Sequence, residues 1–128
     1  MRWISVDTET SGLDPYKDQV LSIGACAIKE RAVALAQSFE ATVRQERASA
    51  IENVLVHGIG HQAQREGEAA SEAAAAYLRF AGNAVVVGFH ILFDVIVLQR
   101  LIRGSLGSPY RPAWHLDLAL LLPALTGT

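Results

Sequence analysis

The chain has 128 residues, 51% of them hydrophobic and 19% charged; that length supports one domain, and that balance a packed core rather than a disordered chain. Eleven Lys and Arg residues against 13 Asp and Glu leave a net charge of −2. This excludes a protein that coats nucleic acid through bulk positive charge, and leaves room for an enzyme that touches nucleic acid briefly.

Residues 2–6 read as a short strand, and the run from Asp7 to Pro15 breaks its pattern with Gly12 and an Asp14-Pro15 turn. Residues 19–29, rich in β-branched and small side chains, form a second strand. Residues 32–43 alternate loosely and form a third, the hairpin partner of the second. Residues 68–81 are predicted helical, with Ala70, Ala73, Ala74, Tyr77 and Ala81 on one face and Gly82 at the C-terminal cap. Residues 84–89 are continuously apolar, the pattern of a strand buried on both faces. Residues 93–103 form a helix that is apolar on nearly all sides and ends at Gly104. Residues 114–118 supply a last strand, followed by a short helix broken at Pro123. This order predicts an α/β fold with a mixed sheet, antiparallel at first and then wound through right-handed crossovers.

No apolar run reaches the ~18–20 residues of a membrane helix, and Asp7 and Glu9 arrive too early for a signal peptide. The single cysteine, Cys26, allows neither a disulfide framework nor a zinc cluster. The expectation is a soluble, cytoplasmic protein with no membrane partner, with Cys26 as a small core residue. Trp3 and Trp114 are expected to pack rather than to stack on bases, and His61 to be exposed. Arg100, Arg103 and Arg111 could contact phosphates, which arginine suits geometrically, but read first as the solvated face of a helix and loop. The apolar stretch Leu120-Leu121-Leu122-Pro123-Ala124-Leu125 needs cover, which a homodimer would provide.

Asp7-Thr8-Glu9-Thr10 is the sharpest feature. Residues two apart on a strand face the same side, so Asp7 and Glu9 present two carboxylates together. Such a pair repels unless a cation lies between its members; a hard divalent ion fits, because it takes oxygen ligands and keeps several waters. Alone, the pair also fits an exposed acidic strand end. Asp94 follows the apolar strand and opens a helix, where the N-terminus favours negative charge. If the two strands are neighbours, the three carboxylates converge at one sheet edge, where α/β sheets bind ligands.

VDTETSGLDP at 6–15, VHGI at 56–59 and VVGFHILFDVIVL at 86–98 together resemble the DEDD exonuclease family of the DEDDh type. That family, which includes the epsilon proofreading subunit of bacterial DNA polymerase III and RNase T, has the ribonuclease-H-like fold. The motifs stand in the family's order and cover nearly the whole chain. The resemblance implies a 3′–5′ exonuclease that hydrolyses phosphodiesters at single-stranded 3′ ends of DNA or RNA with two Mg²⁺ or Mn²⁺ ions. It implies that Asp7, Glu9 and Asp94 are catalytic metal ligands. Thr10, Gly12 and Leu13 would line the slot for the terminal nucleotide, with Leu13 against its base. His57 would touch that nucleotide, and Phe93 would be core or a wall of the slot. Glu52 matches a family glutamate weakly.

The sequence departs from the family at two places. His90 stands four residues before Asp94, where the family often has Asn; it keeps a hydrogen-bonding side chain and is read as substrate-facing. The family's third motif is a histidine five residues before a final aspartate, on a late helix. His115 and Asp117 lie too close together to supply it, and no histidine or acidic residue follows Asp117. Asp117 fits the family's earlier strand-end Asp-Leu instead. Residues 1–128 are therefore expected to form a single exonuclease-like domain without its final helical part. Because a general base typically contributes about 10²–10⁴-fold, they should have weak nuclease activity or none. The alternative is a catalytically degenerate binding or assembly module of the same fold. An Asp-dependent phosphatase is disfavoured, since it needs Asp-x-Asp and a later lysine, whereas Lys17 and Lys29 both come early.

Overall fold

The computed structural model describes residues 1–45 and 66–126. In chain order the elements are β1 (Trp3–Thr10), β2 (Val20–Lys29), β3 (Ala32–Thr42), α1 (Ala70–Ala81), β4 (Val85–Gly88), α2 (Ile91–Leu106), β5 (His115–Asp117) and α3 (Leu118–Thr126). The strands form one sheet in the order β3-β2-β1-β4-β5. β1, β2 and β3 are antiparallel neighbours, whereas β4 runs parallel to β1 and β5 parallel to β4. The mixed sheet expected from the element order is thus the one found. The β2–β3 hairpin turns through Glu30 and Arg31, both at positive φ (52° and 67°), the twist-matching geometry of a tight hairpin.

The largest departures from the sequence pattern are at the ends of β1 and α2. β1 runs four residues past Val6, because β2 pairs with it throughout, with Asp7 opposite Gly24 and Glu9 opposite Ser22. Ladder pairing outweighs the poor strand propensity of Asp and Glu. α2 begins at Ile91 rather than 93, because the chain turns at His90, which is left-handed at φ 55°, ψ 44°, a region in which His, Asn and Asp are enriched. It ends at Gly107, not Gly104: Gly107 has φ 70°, and its N–H donates to the Arg103 carbonyl at 2.9 Å. Pro123 lies inside α3 rather than breaking it; within the helix it forgoes the one bond its N–H would have made.

The core lies between one sheet face and the helices. β1 contributes Ile4 and Val6; β2, Val20, Ile23 and Ala25; β4, Val86. Against them pack Ala73, Ala74, Tyr77 and Ala81 of α1 and Ile91, Val95, Val97, Leu98 and Ile102 of α2. The alanines keep α1 thin where it meets the sheet, and Tyr77 fills the space beside it. Its hydroxyl lies 2.7 Å from that of Tyr110 in a buried pair, and its ring meets Phe39 and Tyr110 edge-on. Burial pushes both phenols above their ordinary pKa, so both stay neutral and able to donate.

The opposite face holds an open groove of about 670 Å³, lined among others by Ser5, Asp7, Gly24, Cys26, Glu40 and Phe89. Cys26 therefore does not join the core as expected. It is half-buried on the groove side, where its thiol donates to the Ala34 carbonyl. Trp114 is 69% exposed, which corrects its reading as a packing residue; the end of a three-residue strand gives its ring no cover. Leu120 and Leu121 are also exposed. Among the described residues no helix is long and apolar enough to cross a membrane.

Candidate functional site

Strand alternation divides the acidic motif between the two faces. Asp7 is exposed on the groove side and Glu9 is half-buried, whereas Thr8 between them is buried on the core side. α2 supplies the third acid. Asp94 stands in its first turn, where the N-terminal dipole favours negative charge, and is 5% exposed. Thr8 meets it there: its N–H and its hydroxyl both donate to Asp94 Oδ1, at 3.0 and 2.6 Å. The two residues are 86 positions apart in the chain.

The β4–α2 turn fixes this meeting. At Gly88 a Cβ would lie 2.8 Å from the Val6 carbonyl oxygen and 2.9 Å from the Ile91 side chain, so glycine lets β4 end tight against β1. His90 then turns the chain, and its N–H donates to Asp117 Oδ1 at 2.9 Å. The same oxygen accepts the Ala119 N–H at 2.9 Å and thereby starts α3. Asp117 is thus a clamp at the edge of the site, a role its strand-end position did not disclose.

Burial pushes Asp94 from 3.8 up to about 6. The two Thr8 bonds work against that rise, and the neighbouring charge of Asp7 adds to it. No group of three or more His, Cys, Asp or Glu side chains among the described residues is arranged to hold a metal ion, so Asp7, Glu9 and Asp94 do not form a closed cage. The donor set nevertheless fits one hard divalent cation. Mg²⁺ is commonly held by one or two carboxylates, with waters and substrate phosphate completing its shell. Here the charge of Asp7 reaches Asp94, and the Asp94 bonds to Thr8 fall on Oδ1 alone.

The loop after β1 is built around Asp18. Its carboxylate accepts the Ser11 hydroxyl at 3.2 Å and the Asp14 N–H at 2.9 Å. Gly12 lies so close that a Cβ there would stand 2.5 Å from Asp18 Oδ2. Thr10 donates its hydroxyl to the Gly12 carbonyl at 2.7 Å, and Leu13 is 94% exposed at the tip. Arg100, from α2, donates to the carbonyls of Pro15 and Asp18 at 3.0 and 2.8 Å. It is neither a free phosphate ligand nor a solvated side chain but a tether, so one helix carries Asp94 and also holds the loop.

The remaining residues sort simply. Phe93 is half-buried against the core. His90 exposes its side chain while its N–H is engaged by Asp117. Arg103 and Arg111 flank a small pocket with Gln99, Pro109 and Tyr110; Arg103 lies nine residues beyond Asp94, roughly 14 Å along the helix. His57, Glu52 and His61 lie outside the described residues. Sequence reasoning missed Thr8, Asp18 and Asp117. Strand alternation alone would have turned Thr8 toward the helices, and Asp in a Gly- and Pro-containing turn is a residue type that bonds nearby main-chain N–H groups.

Comparison with known proteins gives a consistent answer. The RNase_T family model, described as Exonuclease, matches residues 4–113. The PolC-type DNA polymerase III of Thermotoga petrophila is 24% identical over 118 residues, covering 92% of this chain and 8% of that protein. The Thermotoga maritima enzyme is 23% identical over the same length. The chain thus spans less than a tenth of these relatives. Among solved structures, Escherichia coli exonuclease I in a metal-free complex with single-stranded DNA superposes with a TM-score of 0.81 at 18% identity, over 98% of this chain and 30% of that one. Its complex with a dT13 oligonucleotide gives 0.81 at 19% identity, over 98% and 29%. At these identities the superposition establishes the fold.

Proposed function

The chain belongs to the RNase_T exonuclease family, and from that premise we propose that it is the nuclease domain of a metal-dependent 3′–5′ exonuclease acting on single-stranded ends of DNA or RNA. The observation that carries this reading is the buried carboxylate of Asp94, held by Thr8 against the strand that bears Asp7 and Glu9. Asp7, Glu9 and Asp94 would hold Mg²⁺ or Mn²⁺, in the full reading two ions. When bound, such ions activate water and stabilise the leaving oxygen of an in-line displacement at phosphorus. The chain's own residues orient the substrate. The loop from Thr10 to Gln19, stiffened by Asp18 and tethered by Arg100, forms one wall of the terminal-nucleotide slot, and exposed Leu13 offers an apolar surface to the base. The neighbours that hold single-stranded DNA favour a DNA end as the first substrate to try.

A second reading draws on the lack of a three-ligand cluster among the described residues: residues 1–128 alone bind a nucleic-acid end and a cation but cleave slowly. Both readings meet in one experiment. Single-stranded DNA and RNA oligonucleotides labelled at the 5′ end are incubated with the purified chain and Mn²⁺, and both binding and shortening are followed. Mn²⁺-dependent binding with slow 3′ trimming, abolished by Asp7→Asn, is the expected result. Robust release of mononucleotides would remove the second reading. Absence of Mn²⁺-dependent binding to either oligonucleotide would remove the first.

A further inference from the structure

We propose that Thr8 is a positioning residue that fixes which oxygen of Asp94 is offered to a divalent cation. This rests on the reading of Asp7 and Asp94 as a cation-holding pair. A carboxylate on a helix can rotate about its last bond and exchange its two oxygens. At Asp94 that rotation is opposed from one residue: the Thr8 N–H and hydroxyl both donate to Oδ1. The donors are the main-chain N–H of a residue held in register by the β1–β2 pairing, where Thr8 stands opposite Ile23, and a β-branched side chain with few χ1 choices. Both are buried, so water does not compete for the bond. Oδ1 is thereby committed to the strand. Oδ2 takes neither Thr8 bond and is the oxygen left for a cation. The residue between the two acids of β1 thus faces the opposite way from them and holds one oxygen of the third acid. Groups that orient a ligating carboxylate typically change metal affinity by about 10–100-fold when removed.

The test is calorimetric titration of Mn²⁺ into the full chain, with folding checked by circular dichroism and thermal melting. Thr8→Val keeps the shape and the N–H but loses the hydroxyl; Thr8→Ser restores it; Thr8→Ala is a second deletion should the valine variant not fold. Asp94→Asn reports whether Asp94 ligates at all. The expected result is wild-type binding lost in Asp94→Asn, weakened about 10-fold in Thr8→Val or Thr8→Ala, and restored to within about 3-fold in Thr8→Ser. A merely structural role would lower the melting temperature of the deletions and leave their Mn²⁺ affinity unmoved. That outcome, with binding still lost in Asp94→Asn, overturns this inference alone. Wild-type protein that binds no Mn²⁺, or binding indifferent to Asp94→Asn, overturns the cation-pair reading and the inference together.

Discussion

The two faces of the sheet are made from the same strands and follow opposite rules. On the helix side, β1 presents Ile4, Val6 and Thr8, all buried. On the groove side it presents Ser5, Asp7 and Glu9, one residue out of phase. The first face excludes water and gains stability in proportion to the apolar area it removes. The second leaves carboxylates and a thiol beside an open groove. Asp94 crosses this division: it belongs to a core-facing helix and is buried like a core residue, yet it carries the charge of the other face. The contrast teaches that the cost of the site falls on one residue rather than on the whole face.

The largest effect should come from the helix side. Leu98, 1% exposed beneath the sheet, should cost about 2–5 kcal/mol as Leu98→Ala, read from urea unfolding. Ser5→Ala, across the strand, should stay within about 0.5 kcal/mol. Equal losses for the two would break the comparison.

The next effect is expected at Asp94 and has the opposite sign. Its folded pKa of about 6 lies above the ordinary 3.8, so between those values the folded state binds more protons than the unfolded chain. Stability at this residue is therefore full below about pH 4 and is lost as pH rises to about 6. The displacement corresponds to about 3 kcal/mol at neutral pH. Asp94→Asn keeps an oxygen for Thr8 and removes the charge, so it should be more stable than wild type at neutral pH, by up to that amount. The two should converge below about pH 4. Mn²⁺ should raise the melting temperature of the wild type but not of this variant, since only a state that binds the ion is stabilised by it. A variant no more stable than wild type at neutral pH would show that burial at Asp94 carries no cost.

Much of this arrangement was legible in the residues themselves. The alternation in β1, the hairpin partner in β2 and β3, and the Ala-rich face closed by Gly82 each express a local period or cap. Asp7, Glu9 and Asp94 stood out because two carboxylates on one strand face repel one another and a third followed the apolar strand. What escaped notice was the set of contacts joining distant parts of the chain. Thr8 reads as an ordinary strand residue until Asp94, 86 positions later, meets it. Asp117 reads as a strand end until it takes the N–H of His90, 27 positions earlier. Arg100 reads as the polar face of a helix until the loop before β2 folds under it. No period in the sequence encodes such bonds, because they depend on where crossovers place elements. The limits of β1 and α2 escaped for the same reason: pairing with β2 extended the one, and the left-handed turn at His90 started the other early.

Arg100→Ala probes one of those distant contacts. Two bonds from a guanidinium to main-chain carbonyls are lost, but in a partly solvated place, so the global cost should be only about 1 kcal/mol. The local effect should be clearer. Lys17 is exposed in the tethered loop, and trypsin cleavage after it should accelerate in Arg100→Ala while cleavage in the rest of the fold does not. Unchanged cleavage would mean that Asp18, through its bonds to Ser11 and Asp14, holds the loop without help.

The smallest effect is expected at Cys26, and its smallness is informative. As a core residue it would lose packing and gain an awkward hydroxyl on change to serine, at a cost of about 1–3 kcal/mol. On the groove side it is half-buried, and its thiol already donates to the Ala34 carbonyl at 3.2 Å. A serine hydroxyl can make the same bond with water nearby to complete its hydration. Cys26→Ser should therefore change the unfolding free energy by less than about 0.5 kcal/mol, and a thiol reagent should label the folded wild-type protein without unfolding it. A loss above about 1 kcal/mol, or a thiol labelled only in denaturant, would put Cys26 inside a second packed layer and make the groove face a buried one.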